Sequence, residues 1–224
     1  LDGKMDLALQ IAREQIQGGA HALDLCTALT EISNEEETIS RLVRLVGANI
    51  DAPLVIDSTD PLVMEAALKA APGRCLLNSI NLEDGEAKAR AILSLAKQHN
   101  AALIALTIDE QGMAKTADRK LAVARRIRDL AVEEFGLEES DLVFDPLTFT
   151  LASGSLETAN SGVETLQAVT KIKADMPGVF TCLGVSNISF GLNPAARLVL
   201  NSVFLYHAVK AGLDMAILNS SQIR

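Results

Sequence analysis

The chain has no tryptophan, one tyrosine and six phenylalanines, an aromatic fraction of 3%. Aromatic platforms for stacking sugars or single-stranded bases are therefore disfavoured, and the 49% hydrophobic content implies an aliphatic interior of Leu, Ile, Val and Ala. Cysteine is scarce: Cys26, Cys75 and Cys182 are widely spaced and odd in number. They spell neither a disulfide framework nor a zinc knuckle, and a reducing, cytoplasmic setting is expected. Positive charge is also short, with 20 Lys+Arg against 29 Asp+Glu and a net charge of −9. That balance opposes the phosphate neutralisation on which nucleic-acid binding depends, so no nucleic-acid partner is expected. No apolar run approaches the ~18 residues of a membrane span, and Leu1-Asp2-Gly3-Lys4 lacks the apolar core of a signal peptide. A soluble protein without a membrane partner is the expectation.

Short apolar runs alternate with longer amphipathic ones, the pattern of parallel strands covered by helices. The strands read as His21–Cys26, Leu54–Asp57, Cys75–Asn78, Ala102–Ile108, Leu142–Asp145, Phe180–Ser186 and Met215–Asn219. Most are apolar on successive residues, as befits strands buried on both faces, and either a barrel or a doubly wound sheet would satisfy them. Between them, apolar residues recur at helical spacing, as in Ile39, Leu42, Val43 and Val46 and again in Ala89, Ile92, Leu93 and Ala96. Asn34 with Glu37 reads as a capping box, Pro61 and Pro194 suit a first helical turn, and Gly18, Gly47 and Gly212 are expected at helix ends. A first helix over Met5–Gln17 precedes the first strand. This order is that of an α/β (β/α)₈ TIM barrel whose first strand and last helix are missing from the given chain.

Strand after strand ends in a polar residue: Asp24, Asp57-Ser58, Asn78-Ser79, Asp109, Asp145, Ser186-Asn187 and Asn219. In a barrel such carboxyl ends form the rim where active sites sit. Any one of them could equally be a helix cap or turn former, because Asp, Asn and Ser are preferred there. Asp57, Asn78 and Asp145 come before the turn rather than in it, and Pro146 holds Asp145 extended. Carboxylates and amides without clustered His or Cys make a poor metal site, and none is expected. They make a good receptor for a heterocycle with an amide edge, since one Asp accepts two N–H donors and an Asn both donates and accepts. His21, His99 and His207 fall where packing or capping explains them, and no Ser/His/Asp order or Gly-rich phosphate loop is visible.

The segments Leu54-Val55-Ile56-Asp57-Ser58-Thr59, Leu77-Asn78-Ser79-Ile80-Asn81, Phe144-Asp145-Pro146-Leu147 and Leu183–Leu192 resemble, in order, those of the pterin-binding methyltransferases. These comprise the methyltetrahydrofolate:corrinoid protein methyltransferases and the folate-binding module of cobalamin-dependent methionine synthase. The resemblance implies one pterin-binding barrel domain over 1–224, incomplete at both ends. It also implies a cytoplasmic methyltransferase that moves the N5 methyl group of methyltetrahydrofolate to the cob(I)alamin of a corrinoid protein or domain. Asp57, Asn78 and Asp145 match the family's pterin-binding residues, with Ser186 in the same motif as Asn187; Arg197, just after that motif, either matches a family arginine that faces the pterin or only covers a helix surface. Asn187 matches the amide near N5 and is the expected catalytic residue. A homodimer is the family-based expectation.

Two departures stand out. The family's opening Gly-Glu-Arg-x-Asn strand is absent, and where a strand usually ends Asp-x-Asn this chain has Asp24-Leu25-Cys26. Cys26 either alters the pocket floor or packs as a small hydrophobe, and packing is the expectation. The rival functions are a dihydropteroate synthase-like pterin enzyme and a noncatalytic folate-binding barrel. Against the first, Ser186-Asn187-Ile188-Ser189 lacks the basic residue that such a synthase carries there.

Overall fold

The structure, a computed structural model, describes residues 2–28, 34–154 and 158–219. Residue 1 and residues 220–224, at the ends of the expected 1–224 domain, lie outside the described residues. Helices and strands alternate as α1 (Asp2–Gln17), β1 (Leu23–Cys26), α2 (Glu35–Asn49), β2 (Leu54–Asp57), α3 (Pro61–Ala70), β3 (Leu76–Ile80), α4 (Glu86–His99) and β4 (Ala102–Leu106). There follow β5 (Ile108–Asp109), β6 (Gly112–Met113), α5 (Ala117–Asp129), β7 (Leu142–Asp145), α6 (Ser161–Asp175), β8 (Phe180–Gly184), α7 (Pro194–Ala211) and β9 (Met215–Ile217). The chain forms two compact units, one of residues up to Ile80 with Lys88–Leu103, the other of Asn81–Ala87 with residues from Ile104 onward.

In the first unit β1, β2 and β3 lie side by side and parallel, with Leu23 opposite Leu54 and Val55 opposite Leu76. Parallel neighbours need a crossover, which α2 and α3 supply. The Asn34 side chain caps α2 by accepting from the Glu37 N–H at 3.1 Å, while its amide donates to the Glu37 carboxylate at 2.9 Å. Asp60 caps α3 through the Leu62 N–H at 2.9 Å, and Pro61 occupies its first turn. The expected stripes Ile39, Leu42, Val43, Val46 and Ala89, Ile92, Leu93, Ala96 are buried.

Gly47 does not end α2, which runs on to Asn49. It is there for proximity: a Cβ at this position would meet the Pro72 ring at 2.8 Å. Overpacking of that kind costs ~1–3 kcal/mol, against at most ~1 kcal/mol gained in helix propensity. Gly47→Ala is therefore expected to lower the melting temperature, and a rise in thermal unfolding measurements would show that the Pro72 ring yields freely.

In the second unit β7, β8 and β9 are parallel neighbours in chain order, with Val143 opposite Phe180 and Cys182 opposite Met215. Their cover includes a core of Val169, Leu183, Val185, Ile188, Phe204, Ala208 and Leu213. Asn193 caps α7 through the Ala196 N–H at 3.0 Å, and Gly212, at φ 107°, ends it in the left-handed conformation that favours glycine. The expected strand Ala102–Ile108 is interrupted. It stops at Leu106, and Ile108–Asp109 turns back on Gly112–Met113 as an antiparallel hairpin, with Gly112 at φ 85°. The strand expected over Phe180–Ser186 likewise stops at Gly184 and gives way to a 3₁₀ turn, Val185–Ser189.

Within each unit, strands adjacent in the sheet are also consecutive strands of that sheet along the chain, without the order reversal that marks a doubly wound sheet. The fold is α/β of the (β/α)₈ TIM-barrel class. No helix among the described residues is long and apolar enough to cross a membrane.

Candidate functional site

In the first unit the strand register assembles a polar group. Asp57 lies opposite both Cys26 on β1 and Asn78 on β3. Side chains two apart on a strand share a face, so Asp24 joins this row from behind Cys26. The Asn78 amide accordingly donates to the Asp24 carboxylate at 3.2 Å. The alternation that buries Leu23 and Leu25 leaves Asp24 and Cys26 exposed. The packing expected of Cys26 from sequence is therefore overturned, whereas Cys75 and Cys182 are buried.

Crowding these groups has an electrostatic consequence. Although Asp24 as a whole is exposed, its carboxyl is partly withdrawn from water among these groups and is pushed up to about 6, first by that desolvation and then by the Asp57 charge, against the stabilising Asn78 bond. Burial raises Asp57 as well. Since Asp24 holds its proton more firmly folded than at its ordinary value of 3.8, the folded protein binds more protons across that interval and its stability falls as pH rises through it. Asp24→Asn is expected to flatten that fall and to raise the melting temperature at pH 7. Thermal unfolding between pH 4 and 7 checks this, and an unchanged slope would remove Asp24 as its source.

In the second unit Asp145 ends β7 with 5% of its surface exposed. One of its oxygens accepts the Leu147 N–H at 2.7 Å, and the carboxylate also accepts the Gly184 N–H. Burial pushes it up to about 6 in spite of these bonds and of the nearby Lys120 charge. Gly184 then bridges to the next candidate, because a Cβ on it would lie 2.9 Å from the Asn187 amide nitrogen. Asn187, expected at a strand end, is instead exposed on the 3₁₀ turn that follows β8. The reason is local: the turn lets the Phe190 N–H close on the Asn187 carbonyl at 3.2 Å. In the same turn the Ser186 carbonyl accepts from the Ser189 hydroxyl at 3.1 Å, and that hydroxyl takes a bond from Arg197 Nε at 3.3 Å. Asp145, Ser186, Asn187 and Arg197 are therefore linked by short steps within one unit.

The turn-and-cap reading accounts for others of the strand-end residues. Asp109 accepts the Gln111 N–H at 2.9 Å and pairs with Arg119. Ser58 accepts the Asp60 N–H at 3.1 Å. Sequence reasoning passed over Lys120, a fully buried lysine on α5. The signal was present: Lys120 occupies the apolar stripe of Ala117, Val123, Ala124 and Ile127, all buried.

A family model described as pterin binding enzyme matches residues 2–219. The chain belongs to the pterin-binding enzyme family. Its curated relatives include the methionine synthases of Mycobacterium tuberculosis and Mycobacterium leprae, each 44% identical over 218 residues. Those alignments take in 96% of this chain and 18% of the relatives' length, so the chain spans less than a fifth of the proteins it matches. The 7,8-dihydropteroate synthase of Vibrio fischeri has a like structure, with a TM-score of 0.73 at 16% identity over 96% of this chain and 79% of that one. At that identity the likeness shows the fold alone. Family membership agrees with the resemblance carried by the four sequence segments.

Proposed function

We propose that this family member binds methyltetrahydrofolate and passes its N5 methyl group to the cob(I)alamin of a corrinoid protein or domain. The observation that carries the reading is the 44% identity, over 96% of the chain, to two methionine synthases. The residues present fit a pterin. Ionised Asp57 and Asp145 are acceptors for the N–H donors of a 2-amino-4-oxo ring, and Asn78 serves as donor and acceptor. Ser186 and Arg197 complete the proposed contacts.

The corrinoid supplies the nucleophile, held outside this chain. The bond from the methyl carbon to N5 breaks with its electron pair left on nitrogen, which takes up a proton. A tertiary amine leaves poorly unless that proton arrives in step. Asn187 is placed in this role because an amide can rotate to meet N5 both before and after protonation, with no fixed charge beside a positive centre. A reducing cytoplasmic setting belongs to the same proposal.

Labelled methyltetrahydrofolate mixed with the protein and reduced cobalamin tests the proposal. Label appearing on cobalamin supports methyl transfer. Folate binding without transfer would leave a noncatalytic folate barrel. Condensation of a pterin diphosphate with p-aminobenzoate would instead support the dihydropteroate synthase-like reading, against which Ser186-Asn187-Ile188-Ser189 offers no basic residue.

A further inference from the structure

Lysine is rarely buried without a task, because taking an ammonium out of water costs several kcal/mol unless its donors are all engaged. Lys120 is fully buried. Its Nζ donates to the Pro146 carbonyl and, at 3.2 Å, to the Leu147 carbonyl, the two residues that follow Asp145. The Leu147 carbonyl takes a second bond, from the Thr165 hydroxyl of α6 at 2.7 Å. Leu147 has φ 56°, a left-handed backbone that branched side chains seldom adopt. That conformation turns its N–H back onto the Asp145 carboxylate at 2.7 Å. The groups combine into one device: Lys120 and Thr165 hold the carbonyls, the carbonyls hold the turn, and the turn holds the carboxylate.

The alternative tasks for Lys120 are weaker. It lies 6.0 Å from the Phe149 ring, the outer limit for attraction to an aromatic face. The carboxylates that bear on its charge are Asp145 at the end of β7 and Glu164 on α6. Glu164 has other work, accepting the Ala117 N–H at the start of α5 at 2.7 Å. What remains specific to Lys120 is the Asp145-Pro146-Leu147 turn.

We propose that Lys120 is a positioning residue, clamping the Pro146 and Leu147 carbonyls from within so that the Asp145 carboxylate is aimed at the pterin. This rests on the pterin role proposed for Asp145. The clamp works without Lys120 touching the ligand, and it lowers the reorganisation needed when the pterin arrives.

A double-mutant cycle on methyltetrahydrofolate affinity tests it. Lys120→Met keeps the volume and removes the donors and charge, and it is expected to weaken binding about tenfold. Asp145→Asn keeps the shape of the side chain and gives up the charged acceptor. Combined with it, Lys120→Met should cost less than about twofold further, because the group it aims is already lost. A residue that merely supports the fold would show the same loss in both backgrounds, and that additivity would overturn the proposal. Unchanged affinity in folded Lys120→Met, with Asp145→Asn impaired, would overturn it alone. Unchanged affinity in Asp145→Asn would bring down the pterin role of Asp145 and this inference together. Should Lys120→Met fail to fold, Thr165→Val decides: removing the second donor to the Leu147 carbonyl should weaken binding about threefold, and parental affinity there counts against the clamp.

Discussion

Asn187→Ala is expected to slow methyl transfer by ~10²-fold or more while changing methyltetrahydrofolate affinity far less. The proposed amide contact to N5 strengthens only as that nitrogen gains charge and then a proton. Its loss therefore weighs on the transition state more than on the bound ground state. The local structure suits the assignment. Asn187 is exposed on the 3₁₀ turn after β8, and its amide rests against Gly184, where a side chain would crowd it. Stopped-flow loss of the cob(I)alamin spectrum gives the rate, and a folate titration gives the affinity. Equal losses in both would make Asn187 a binding residue, and no loss in either would remove it from the reaction.

Asp145→Ala is expected to weaken methyltetrahydrofolate binding by about 1.5–3 kcal/mol, the scale of a lost charge-assisted hydrogen bond. Asp57→Ala should fall in the same range, and Asn78→Ala should cost less because the bond lost is neutral. The two carboxylates differ in one respect that sharpens the experiment. Asp145 is buried and also accepts from Leu147 and Gly184, so its removal orphans donors on β8 and on the turn. Asp57 is half-buried, in a register row with Cys26 and Asn78. Calorimetric titration of the Ala variants, with thermal unfolding as the control for folding, separates lost recognition from lost stability. Parental affinity in folded Asp145→Ala and Asp57→Ala would leave both as structural rim residues.

Much of the fold is legible in the chain because its strands are short apolar runs with abrupt polar ends. Leu54–Asp57 and Leu142–Asp145 have the bounds that the sequence implies. Where expectation and structure part, the cause lies in a contact that periodicity does not encode. Gly47 looks like a helix stop until Pro72 is found against it. Ala102–Ile108 reads as one apolar run, but Ile108 pairs back on Met113. Val185-Ser186-Asn187 continues the strand pattern, yet the chain coils there and closes on Phe190.

By itself the sequence determined the alternation of strands and helices, the faces the helices bury and the family, because each is written in residue spacing or in ordered short segments. Only the tertiary structure decided which polar residues meet. Asn78 donates to Asp24 from 54 positions away because two strand registers bring them to one face. Lys120 is visible in the sequence as a charge on an apolar stripe. That its ammonium is fixed by the carbonyls of Pro146 and Leu147, 26 and 27 residues further on, depends on how α5 meets the end of β7. Spacing along a helix or strand reports which way a side chain faces. The partner it faces is set by packing between segments distant in the chain, and burial raises the cost of leaving such a group unpaired.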